Sequence, residues 1–172
     1  MLRSSTPSVR PAPRAASWSL AAALAVVVGA FTLLAAPSSA HAQMKGKVVV
    51  SDAEFGTGFG TDAEMMKAVK KQAKTTIKSD GGAWTLNLMV FLNAAPGADT
   101  INIVYYDVSV KPRDQVNFSE VKVQPTQKIV QVNGVSISKD LGFVKGHKYE
   151  VLATRIIGGK EKVYAKGTIT LK

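Results

Sequence analysis

Between residues 84 and 92 the side chains alternate: Trp84, Leu86, Leu88, Val90 and Leu92 fall on one side, Thr85, Asn87, Met89 and Phe91 on the other. A period of two residues predicts a strand with one face buried more deeply than the other. The same period returns in Ile101, Ile103 and Tyr105, opposed by Val104 and Tyr106, and again in Tyr149, Val151 and Ala153. The stretch 162–171 sends Ala165, Ile169 and Leu171 one way and Tyr164, Lys166, Thr168 and Thr170 the other. Shorter β-branched runs at 45–52 and 116–123 predict two further strands. Residues 128–138 are apolar and β-branched but interrupted by Asn133-Gly134, either a two-residue hairpin turn or a bulge, and a single bent strand is preferred because each half is too short to pair well alone. Turn residues separate these runs at 93–99, at 111–114 and at Gly158-Gly159-Lys160-Glu161.

One segment breaks the two-residue period. Gly56, Gly58 and Gly60 make 53–60 a loop, and Thr61-Asp62-Ala63-Glu64 then has the spacing of a capping box. Met66, Val69, Ala73 and Ile77 follow at steps of three, four and four, which lines them along one face of a helix spanning 62–77. Lys67, Lys70, Lys71, Lys74 and Lys78 fall on the other side, and acids at the start with lysines toward the end suit the helix dipole. Ser79-Asp80-Gly81-Gly82 stops it.

The stretch from Leu141 to Val151 carries a different signal. A leucine, a turn through Gly146 and then Tyr149 opening an alternating run is the pattern of a corner, where the tyrosine ring fills the core and its hydroxyl reaches back to the main chain. In this the chain resembles the fibronectin type III and immunoglobulin-like β-sandwiches over roughly 84–171. The resemblance implies a mainly β fold of six to seven strands in two antiparallel sheets. In that family's lettering 84–92 is strand B, the run from Ile101 is C and the last two strands are F and G. The predicted helix is then an insertion between the first two strands.

Residues 1–42 read as an export signal. Arg3, Arg10 and Arg14 make a positive leader without acids, 20–36 is a weakly polar to apolar run, and Ala40-His41-Ala42 is a small-x-small cleavage site. At about 17 residues the run is at the lower limit for spanning a bilayer. Cleavage after Ala42 leaves one domain: 43–83 with the first strand, the glycine loop and the basic helix, and 84–172 with the sandwich. Removing three arginines from 22 bases and no acid from 12 leaves a net charge of +7. The chain has no cysteine, so it is neither a lipoprotein nor held by disulfides or thiolate metal sites, and its core alone must stabilise it. A periplasmic or extracellular location follows, with no transmembrane segment in the mature part.

The candidate chemistry is sparse. After the leader His147 is the only histidine, which rules out a multi-histidine metal site and confines any Ser-His-Asp arrangement to that residue. Its place between Gly146 and Lys148 predicts a solvated turn side chain. Asp52 with Glu54 and Asp62 with Glu64 supply carboxylates that a hydrolase or a calcium site could use, although capping accounts for the second pair. Gly56-Thr57-Gly58-Phe59-Gly60 fits neither G-x-G-x-x-G nor a phosphate loop. The lysines Lys67, Lys70, Lys71, Lys74 and Lys78 form a stripe suited to polyanions or anionic lipid surfaces. No aromatic residue interleaves with them, which argues against base stacking and sequence-specific nucleic acid. The expectation is a non-enzymatic binding module without a cofactor, meeting a protein or envelope partner through the 93–99 turn, the 158–161 hairpin tip or the outward aromatics Phe91 and Tyr106.

Overall fold

The structure is a computed structural model and describes residues 43–172. The expected leader, residues 1–42 with cleavage after Ala42, lies outside the described residues. In chain order the elements are β1 (Lys47–Ser51), α1 (Asp62–Gln72), β2 (Thr76–Ile77), β3 (Ala83–Phe91), β4 (Thr100–Asp107), β5 (Asp114–Lys122) and β6 (Ile129–Ser138), then a 3-10 turn (Lys139–Leu141), β7 (Lys148–Ile157) and β8 (Lys160–Leu171).

The strands join into one sheet in the order β5-β4-β7-β8-β1-β3-β6, with β2 also on β8. This overturns the two-sheet sandwich and, with it, the fibronectin type III and immunoglobulin-like assignment: the sheet is mixed and curls through 262° into a nearly closed barrel. The physical reason is β1. It pairs antiparallel with β3 and bridges β8 in parallel at Lys47 and Lys166, so the two halves that would have been separate sheets are stitched by hydrogen bonds. At Gly167 of β8 an added Cβ would run into the Val48 carbonyl, so the close approach of β1 and β8 requires glycine.

Inward side chains from all around the sheet meet in one core, including Val48, Val50, Leu86, Leu88, Val90, Ile101, Ile103, Val151 and Ile169. Tyr149 is fully buried there and its hydroxyl accepts from the Val144 amide at 2.7 Å. Phe143 packs edge-on against Tyr105 and tilted against Tyr149, with ring centroids 5.5 Å and 5.1 Å apart. The corner tyrosine is therefore where the sequence puts it, but it anchors a barrel.

The helix is shorter than the periodicity predicts. Thr61 and Glu64 close the capping box reciprocally, but α1 ends at Gln72 and not at 77. Ala73 turns to ψ 129, and the Lys74 amide then bonds to the Val50 carbonyl at 2.8 Å. The β-branched residues Thr75, Thr76 and Ile77 take up extended pairing with β8 instead, which buries Ile77 in the barrel. On the outside of the barrel α1 lays Met65, Met66 and Val69 on Val49, Met89 and Phe91. Phe91 is thus no outward binding aromatic, because the helix covers it completely.

Both glycine signals resolve as turn chemistry demands. β6 runs through Asn133-Gly134 as one strand, with a register shift opposite Leu86 and Leu88. Gly134 takes φ 67 and its amide donates to Asn87 Oδ1 at 2.9 Å. Between β7 and β8, Ile157 pairs with Lys160, leaving Gly158 and Gly159, both at positive φ, as a two-residue turn.

Candidate functional site

The sheet has two outward apolar regions, and α1 covers only the one on β1 and β3. The other lies on β4, β5, β7 and β8. Register builds it: Val104 of β4 lies between Phe118 and Leu152, Asn102 between Glu120 and Thr154, and Tyr106 between Gln115 and Glu150. Thr154 in turn opposes Val163 of β8, where Tyr164 is the extra residue of a bulge. Among the described residues no helix covers this face. Phe118 is 59 % exposed and Ile156 57 %, with Val163 also exposed.

Two hollows mark it. The smaller, of about 200 Å³, is walled by Val104, Phe118 and Ile156, rimmed by Asn102, Gln115 and Glu161, and floored by Thr154. Thr154 is 1 % exposed, and its hydroxyl has no hydrogen-bond partner. Buried polar atoms are nearly always paired, so this one calls for an explanation. The larger hollow, of about 380 Å³, runs past Asn93, Leu152 and Lys166 beside an Arg113–Glu150 ion pair of 2.6 Å. The Arg113 guanidinium lies 4.2 Å from the centre of the Tyr106 ring. Burial, and then the Glu161 carboxylate, push the Tyr106 phenol above its ordinary range.

No protein-family profile matches this chain. No curated protein and no solved structure matches it either.

The residues singled out in the sequence scatter. Lys67, Lys70 and Lys71 are exposed on α1, whereas Lys74 lies past its end and Lys78 past β2, both exposed. Asp52, Glu54, Asp62 and Glu64 are exposed. The hollow of about 350 Å³ beside the glycine loop is lined by Gly56, Thr57, Gly58, Phe59, Met65, Met89, Gln127, Ile129 and Gln131, and by none of those four acids. Among the described residues no cluster of three or more His, Asp or Glu side chains could hold a metal ion, and no helix is long and apolar enough to cross a membrane. Tyr106 does face outward. The 93–99 turn is pinned: Arg155 and the Tyr164 hydroxyl both donate to the Pro96 carbonyl, at 2.8 Å and 3.3 Å. Glu161 of the hairpin tip reaches the small hollow.

His147 is not the solvated turn residue the sequence suggests. Its Nδ1 lies 2.6 Å from Oδ2 of the buried Asp107, whose Oδ1 accepts from the Ser109 amide at 2.8 Å. The pair ties the end of β4 to the turn before β7. Sequence reasoning also missed Thr154 and Phe118. Only the strand register brings Asn102, Thr154 and Phe118 together, and the one available signal was a phenylalanine among the polar residues of 114–120.

Proposed function

We propose that the protein is a non-enzymatic binding module, exported to the cell envelope or beyond, that meets a partner protein through the bare face on β4, β5, β7 and β8. The observation that carries this is Phe118, 59 % exposed at the middle of an edge strand, in a chain that buries Met89 and Phe91 under a helix on its other outer face. Exposed apolar groups clustered and rimmed by polar ones are the usual mark of an interaction surface. A photo-crosslinking side chain at Phe118, with the same probe at Lys71 as control, tests it in envelope preparations. A discrete adduct at Phe118 that Lys71 does not give is the expected result; identical or absent adducts at both positions count against the face. Export is checked by the N-terminus of the purified protein, which is expected to be Gln43.

A second reading has its own support. Lys67, Lys70, Lys71 and Lys74 are all exposed, and among the described residues none of them is in an ion pair. Such a cluster attracts anionic lipid or polyanions in a salt-dependent way. Retention on heparin at low salt that disappears when these four are changed together to Gln supports it; no retention at low salt ends it.

A further inference from the structure

We infer that the hollow floored by Thr154 is a lysine subsite, taking the ammonium-tipped side chain of a partner protein. The inference rests on the binding face proposed above. Size comes first. A volume of about 200 Å³ falls below the roughly 300–1,000 Å³ of small-molecule sites, so it suits one side chain and not a whole metabolite. The walls come next: Val104, Phe118 and Ile156 offer an apolar channel for a chain of methylenes, and the Phe118 ring offers its face to a cation.

Polar groups decide what sits at the tip. Thr154, on the floor of the hollow, brings a buried hydroxyl whose lone pairs meet no donor. Asn102 brings an amide oxygen and Glu161 a carboxylate. An ammonium group has three donors and no acceptor, and Thr154, Asn102 and Glu161 can each accept from one. Charge agrees with this. On a chain of net charge +10 the hollow is lined by one acid and no base, and Glu120, opposite Asn102 in the register, adds a second acid beside it. A bare alkyl group would leave the Thr154 hydroxyl unpaired and the Glu161 charge unanswered. A guanidinium holds its donors in a rigid plane, whereas an ammonium is compact with three rotatable donors, which suits oxygens that come from three different strands.

The test is titration of the ¹⁵N-labelled protein, produced from the full chain, with Nα-acetyl-lysine methylamide, alongside the Nε-acetylated and norleucine analogues. Saturable shifts at the Asn102, Phe118 and Thr154 amides are expected with lysine, weakening at high salt. Glu161→Gln and Thr154→Val are each expected to weaken lysine binding at least about threefold, as loss of one charge-assisted hydrogen bond should, and to leave norleucine unchanged. Both changes keep the side-chain shape, and unaltered spectra elsewhere report an intact fold. Norleucine binding as tightly as lysine, or Glu161→Gln without effect, overturns the lysine assignment while the face stands. No shift with any analogue, together with no specific adduct from the Phe118 probe, overturns both.

Discussion

Two buried phenols, Tyr105 and Tyr149, differ in their hydrogen bonding. The Tyr149 hydroxyl accepts from the Val144 amide, whereas the Tyr105 hydroxyl is buried with no partner. Tyr149→Phe is therefore expected to destabilise the protein by about 1 kcal/mol, and Tyr105→Phe to leave stability unchanged or raise it slightly. Burial holds both phenols above their ordinary range near pH 10, more strongly for Tyr105. A folded-state value above the unfolded one contributes stability that is intact below the unfolded value and lost as pH rises past it. Stability should thus hold to about pH 10 and then fall by up to about 1.4 kcal/mol per pH unit for each such tyrosine. Urea melts from pH 8 to 11 check this, and Tyr105→Phe should flatten the decline. Neutral behaviour of Tyr149→Phe would show that its corner bond contributes nothing.

At the level of elements, nearly every strand was legible, because alternation over five or more residues leaves few other conformations. What alternation did not tell was how each face would be covered. Met89 and Phe91 share a side with Thr85 and Asn87, so that face read as the shallower one, yet α1 buries both. The helix end was misread for a related reason. Ile77 continues the three-four-four spacing, but it follows two threonines, and β-branched residues gain more from pairing with β8 than from another helical turn. This has a measurable consequence. Ile77→Ala should cost about 2–4 kcal/mol, as expected for a core side chain, where a residue on the rim of a surface helix would cost a fraction of that. Asn133-Gly134 read as either a hairpin turn or a bulge, and its partner was not legible at all: Asn87 Oδ1 comes from a strand some fifty residues earlier.

For the whole molecule, the order of the strands was the part hidden from the sequence. Local patterns mark Tyr149 as a corner and the last two strands as a hairpin, and both features are compatible with a sandwich or a barrel. The difference is made by a single parallel contact between β1 and β8, across more than a hundred residues. Nothing in the composition of 47–51 announces that partner; the one trace of it is Gly167. Gly167→Ala should be among the most damaging small changes, by about 3 kcal/mol or more, because the atom in the way is backbone and β1 must shift to make room. Thermal unfolding measures it, and a change below about 1 kcal/mol would mean that the two strands are not in contact. The small hollow was hidden for the same reason: its walls come from β4, β5, β7 and the hairpin tip, which only the completed order of strands brings together.

β8 comes last in chain order among the described strands, yet it sits mid-sheet, between β7 on one edge and β1 and β2 on the other. Until it arrives, β1 has only β3 beside it, and Trp84 lacks the Lys172 carbonyl to which its indole donates. A chain without β8 therefore cannot close the barrel, because nothing joins β7 to β1. Closing the barrel is for this reason a long-range event, and the pairing of segments more than a hundred residues apart is expected to set how fast the chain folds.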